Sequence, residues 1–182
     1  MSTSASTSIS VAATPPLTAF ISGPVEPSPE YLATYYAPRL LKAISEDHKF
    51  VMGPAPGIDR EALSFLLLHN VPPENMTVYL TEYESKRNEY RSGPEAVGVN
   101  IKVAGITVSE RDSEMTRVSD YDILRYRTQE ESKALYGAFW TPGHVTETER
   151  NERRRIMVKE REREKEKEEE VGEKKKRKWK QM

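Results

Sequence analysis

Gly53, Gly57 and Asp59 fall within VMGPAPGID, residues 51–59, between a short apolar run, KFVM, and a stretch that reads as a helix, REALSFLLLHN. Glycines in such a loop permit backbone angles closed to other residues and let a ligand approach the main chain. The free amides of a following helix N-terminus attract an anion. Pro54 and Pro56 carry no N–H, so the donors left are those of Ala55, Gly57 and Ile58 onward. Asp59 has the residue type of a helix N-cap. A carboxylate there suits a ribose hydroxyl or a base edge, with a phosphate nearer Gly53 and Gly57. The same residues equally make a plain structural turn, and spacing alone does not separate the two readings.

Other polar residues fall where ligand chemistry gathers in an open α/β sheet, beyond the carboxyl ends of the strands. Gly23 closes the first apolar run, LTAFISG. Arg87 and Asn88 follow the third strand, a planar cation beside an amide, suited to phosphate or base contact. Ser109 and Asp112 have capping-box spacing, which leaves Arg111 between them free to face a cleft. Thr128 with Glu131 and Thr146 with Glu149 have the same spacing. Carboxylates for acid–base work can be drawn from Asp59, Glu84, Glu110 and Asp112, although 29 acidic residues always supply pairs. His48, His69 and His144 are scattered without metal-ligand spacing, and no cysteine is present, so neither a metal nor a cofactor is expected. Walker, dinucleotide-glycine and nucleophile-elbow motifs are absent.

The elements that must position these residues alternate along the chain. Strands are expected at Leu17 to Gly23, Lys49 to Met52, Met76 to Leu80 and Tyr121 to Tyr126, with a strand or hairpin within Val97 to Val108. Helices are expected after Ser28-Pro29, read as N-cap and first helical position, with a kink or a true start near Pro38. Others are expected at Arg60 to Asn70, Ser109 to Val118 and Glu130 to Phe139. This alternation implies a mostly parallel sheet with right-handed crossovers and helices on both faces, a small Rossmann-like three-layer α/β sandwich. Ser119, Asp120 and Asp122 fall at the opposite end, before a strand, and should cap and turn the chain.

Only 36% of residues are hydrophobic and 31% are charged, a balance that points to one domain diluted by polar ends. Residues 1 to 16, rich in Ser, Thr, Ala and Pro, are expected to be disordered and lack the pattern of a targeting peptide. The domain is placed at 17–158 and a charged tail at 159–182. From Thr146 onward there are 15 Lys and Arg against 11 Asp and Glu, a net of +4 on an otherwise acidic chain. Glu160 to Glu168 alternates sign strictly, so favourable and unfavourable helical pairs largely cancel. Ile156, Met157 and Val158 are expected to dock a helix starting near Thr146, with the rest projecting as a charged helix or tail. The basic run Lys174 to Lys178 is a surface for an acidic protein or nucleic acid, or a nuclear import signal. No run reaches the roughly 20 apolar residues of a membrane span. A soluble, cytoplasmic or nuclear protein with no membrane partner is therefore expected, a homo-oligomer being compatible.

FISG, GPAPGID, VYLTEYESKRN and ERDSEMTRVSDYDI together resemble the SLOG superfamily, the Rossmann-like group that includes the DNA-processing protein A fold and the LOG lysine-decarboxylase-like proteins. The resemblance covers about Phe20 to Arg155, and GPAPGID and ERDxxMTxxSDYDI are its most specific parts. It implies a nucleotide-related ligand held by the loop from Gly53 to Asp59. Its relatives sense such ligands or, in the LOG and deoxyribosyltransferase branches, cleave an N-glycosidic bond. The PGGxGTxxE motif of catalytic LOG proteins is missing. Pro24 and Val25 stand where a basic residue is common, and Glu147 stands where a small turn would carry glycine. The leading expectation is a non-catalytic or weakly catalytic domain that binds a nucleotide or nucleoside derivative through Gly23, Gly53, Ala55, Gly57, Asp59, Arg87, Asn88 and Arg111. The alternatives are an N-glycosidic hydrolase or transferase using Asp59, Glu84 or Glu110, and an interaction protein acting through its tail.

Overall fold

In the computed structural model, which describes residues 15–180, five strands form one all-parallel sheet in the order β4-β3-β2-β1-β5. The strands are β1 (Thr18–Ser22), β2 (Lys49–Met52), β3 (Met76–Leu80), β4 (Asn100–Val103) and β5 (Tyr121–Leu124). Helices α1 (Tyr31–Tyr35) and α2 (Ala37–Ser45) join β1 to β2, and α3 (Ile58–Leu68) joins β2 to β3. Helices α4 (Glu82–Ser85) and α5 (Asn88–Ala96) precede β4, and α6 (Val108–Val118) precedes β5. After β5 come α7 (Gln129–Tyr136), a 3-10 turn at Gly137–Phe139 and α8 (Glu147–Lys180). This is the small Rossmann-like α/β layer that the alternation implies. The disorder expected for residues 1 to 16 falls, for residues 1–14, outside the described residues.

Strands buried on both faces read as continuous apolar runs, and TAFIS, KFVM and MTVYL do so. Along β1, Ala19 and Ile21 join Phe50, Met52 and Val78 in a larger core under α1, α2, α3 and α5. Phe20 points the other way, to Val51, Tyr79 and Met115 beneath α6. At the edge of the sheet, Arg39 donates to the carbonyls of Leu124 (3.1 Å) and Asp122 (2.5 Å). This occupies acceptors that an edge strand otherwise offers to another chain.

Chain order reverses between β1 and β5, where a doubly wound sheet normally opens a crevice. Here Tyr36, fully buried, fills one side of it. Its hydroxyl donates to the Ser22 carbonyl (2.8 Å) and accepts from the Arg125 N–H (2.9 Å), and burial pushes its ionisation up. The other side is filled by Thr148 and Asn151 of α8, whose side chains meet the Ser22 hydroxyl at 3.4 and 3.1 Å.

Several boundaries differ from expectation for local reasons. Ser28 does not cap α1: its carbonyl accepts the Tyr31 N–H (2.9 Å) across a turn through Pro29, and Glu30 flanks the helix. Pro38 lies in the first turn of α2, where its missing N–H costs nothing. The segment 97–108 holds one strand and no hairpin, because β4 pairs in parallel with β3 alone. The capping box of α6 is Thr107 with Glu110, not Ser109 with Asp112. Thr128 with Glu131 forms the expected box on α7, and the Thr146 hydroxyl accepts the Glu149 N–H at 3.2 Å.

α8 docks mainly through polar residues, and of the three expected apolar ones only Val158 is half-buried. Ile156 and Met157 are 49% and 51% exposed, whereas Thr148, Asn151 and Arg155, spaced three and four apart, are buried. The Arg155 guanidinium donates to the carbonyls of Thr116 (2.8 Å) and Ser119 (2.7 Å) at the end of α6 and to Asp122 (2.7 Å). Asp122 is thus an ion-pair partner, and Asp120 accepts the Thr18 N–H (2.7 Å). Beyond Lys159 the helix is exposed through Glu170. No described helix is long and apolar enough to cross a membrane.

Tyr36→Phe leaves the Arg125 N–H without its acceptor in the core. It should lower unfolding stability by about 1–3 kcal/mol, read from urea denaturation.

Candidate functional site

The glycines of the β2–α3 loop back onto protein atoms. Gly57 has φ +79° and precedes α3 as its N-cap residue. A Cβ there would lie 2.4 Å from the Pro24 carbonyl oxygen and 2.5 Å from that of Val25. The next amide, of Ile58, donates to the Pro24 carbonyl at 3.1 Å. Gly23 meets the Tyr36 hydroxyl and Ile58 at 2.5 and 2.6 Å in the same test, and Gly53 meets Asp59 Oδ2 at 2.9 Å and Arg111 Nη2 at 3.1 Å. Close approach is what all three glycines permit, and the group approaching is the protein itself.

Asp59 is not the N-cap of α3. It stands one residue inside the helix and turns into the protein, 8% exposed, with the Ala55 N–H directed at its carboxylate. Burial pushes its carboxyl up to about 7; the Arg111 charge opposes this, while Asp112 and Glu84 reinforce it. Arg111 makes no ion pair with Asp59; its guanidinium is turned to two other carboxylates. Its Nη1 reaches both Glu84 oxygens (2.8 and 2.9 Å), and its Nε and Nη2 reach Asp112 Oδ1 (3.0 and 2.9 Å). Asn151 then donates to Asp112 Oδ2 at 2.9 Å. Glu84 is held in turn by α4, where it accepts the Thr81 N–H (2.7 Å) in a capping box.

Beside Asp59 and Gly53 opens a cavity of about 350 Å³ between α3 and α5. Leu63 and Leu67 of α3, Val78 of β3 and Tyr90 and Val97 of the α5 segment give it apolar walls, and Asp59, Arg60 and Glu89 give it polar ones. This volume and balance suit a small planar ligand with a few polar edges.

Of the residues expected to form a site, Gly53 and Asp59 line this cavity and Arg111 supports it from behind. Gly23, Ala55 and Gly57 shape the loop. Arg87 and Asn88 are exposed; Arg87 donates to the Tyr83 hydroxyl (2.7 Å) and pairs with Glu89 (2.9 Å). Glu110 is committed to the start of α6, where its carboxylate accepts the N–H groups of Ile106 (2.7 Å) and Thr107 (3.1 Å), which pull its ionisation down. Tyr90, Gly93, Pro94 and Val97 form a wall that the sequence reading missed. Their spacing of three, four and seven is helical, but Gly93-Pro94 disguises it. Among the described residues no group of His, Asp and Glu could hold a metal ion.

Because the folded Asp59 carboxyl titrates above its unfolded value, it contributes most stability when protonated. That contribution is lost as pH rises from about 4 to about 7. Asp59→Asn should therefore flatten the fall in stability across this window and raise stability at pH 8 by about 1–3 kcal/mol, measured by urea denaturation at each pH. No protein family, curated protein or solved structure matches the chain.

Proposed function

We propose that this protein binds a nucleoside- or nucleotide-derived ligand in the cavity between α3 and α5, without needing to turn it over. The observation that carries the reading is the Asp59 carboxyl, buried beside the Gly53 backbone at the edge of a slot with apolar walls on both helices. A base stacks on the Tyr90 ring and between leucines, an interaction that tolerates any base because each has a π-face. Asp59 then accepts from, or when protonated donates to, a base edge or ribose hydroxyl. Position supports this, since ligands of open parallel sheets gather beyond the strand ends. The likeness of GPAPGID and ERDSEMTRVSDYDI to SLOG proteins supports the same ligand class.

A second reading, hydrolysis or transfer at an N-glycosidic bond, draws on one observation. Asp59 is pushed up to about 7, and Glu84 beside it is held by Arg111. Two carboxyl groups in unlike environments can divide acid and base roles. Release of free base from nucleosides or their monophosphates, followed by chromatography, tests it: loss of release in Asp59→Asn supports turnover, and no release from any compound removes it.

Thermal denaturation with a panel of nucleosides and nucleotides tests binding. A ligand at about 100 times its dissociation constant should add about 2.7 kcal/mol, or roughly 5–10 °C in a chain of this size. Tyr90→Ala should remove most of that shift and leave the unliganded transition within about 2–4 °C, since the ring is only half-buried. No stabilisation by any member of the panel would remove the proposal.

A further inference from the structure

We infer that the occupant of the α3–α5 cavity is an unphosphorylated nucleoside, and that the groups around the β2–α3 loop exclude its phosphorylated forms. The inference rests on the cavity reading above and narrows it. It follows from where several of the groups that ordinarily hold a phosphate have gone.

Phosphate is held by free amides at a helix N-terminus and by guanidinium or ammonium groups. In this loop Pro54 and Pro56 have no N–H, the Ala55 N–H faces the Asp59 carboxylate, and the Ile58 N–H is given to the Pro24 carbonyl. The carbonyl oxygens of Pro24 and Val25 lie over Gly57, so the mouth of the crossover presents acceptors where a phosphate needs donors. The first turn of α3 carries Asp59 and Glu61, which already oppose the positive end of the helix dipole.

Two of the three nearby cations, Arg111 and Arg87, are similarly committed. Arg111 has three nitrogens engaged by Glu84 and Asp112. Arg87 is turned to Tyr83 and Glu89 on the surface. Among the described residues lining the cavity Arg60 is the one cation, against Asp59 and the Glu89 that pairs with Arg87. With Arg87, Arg111, Glu84 and Asp112 counted as well, three cations face four carboxylates once Asp59 is ionised. Behind the wall, Arg111 is likewise outnumbered by Glu84 and Asp112. A field of this sign beside apolar walls repels an anion and leaves a neutral or cationic ligand unpenalised. The apolar walls, with Tyr90 among them, retain their grip on a base whether or not a phosphate is attached.

Isothermal titration of the full chain with adenosine, guanosine, cytidine and uridine, and with each 5′-monophosphate at the same ionic strength, tests the inference. A nucleoside should bind at least about tenfold more tightly than its own monophosphate. Glu89→Gln, on the exposed side of α5, should shrink that gap by about threefold without loss of folding, as should added salt. A monophosphate that binds as tightly as its nucleoside, or more tightly, overturns the inference and leaves the cavity reading intact. A gap unmoved by both Glu89→Gln and salt also overturns it, because the exclusion is then not electrostatic. Binding by none of the compounds overturns the cavity reading and this inference together.

Discussion

Arg111, held between Glu84 and Asp112, is the interaction through which the carboxyl end of the sheet is assembled. One guanidinium joins the helix after β3 to the helix before β5, and Asn151 extends the connection through Asp112 to α8 and through Ser22 to β1. Taking these charges out of water is costly, and their attraction offsets that cost only when the remaining donors and acceptors are satisfied, as they largely are here. A buried network of this kind weakly favours stability but strongly fixes which groups face which. It sets Asp59 near a positive charge without giving it an ion pair, and so leaves a carboxyl whose protonation is open to change.

The same network decides what the loop can do. A glycine loop before a helix binds anions when its amides face an open crevice, and that condition is not met around Gly57. The β1–α1 loop folds over it and turns carbonyl oxygens toward the place a phosphate would take. The crevice at the reversal of strand order is closed as well, by Tyr36 on one face of the sheet and by Thr148 and Asn151 on the other. Space for a ligand moves sideways, to the gap between α3 and α5.

α8 shows how misleading local apolar content can be. Ile156 and Met157 are its most apolar pair near the domain, yet the helix is anchored by Arg155, which closes the end of α6 and pairs with Asp122. Exposed carbonyls at a helix terminus attract a cation with enough donors to satisfy them, and a guanidinium has five. A rule that seeks only apolar stripes passes over such a residue.

The sequence by itself determined the layer architecture, because apolar runs of four or five residues alternating with helical stripes admit few arrangements other than a parallel sheet covered on both faces. It also made legible Gly53 and Asp59 as residues of interest, and two of the helix caps, since capping depends on neighbours three residues away. Only the tertiary structure decided that Gly57 accommodates another loop, that Arg111 is consumed by Glu84 and Asp112, and that Tyr90 and Val97 wall a cavity. Each of these depends on groups far apart in the chain, 27 residues for Arg111 and Glu84 and 33 for Gly57 and Pro24. Local spacing holds no record of such meetings, because a donor's partner is chosen by the fold that brings the two together.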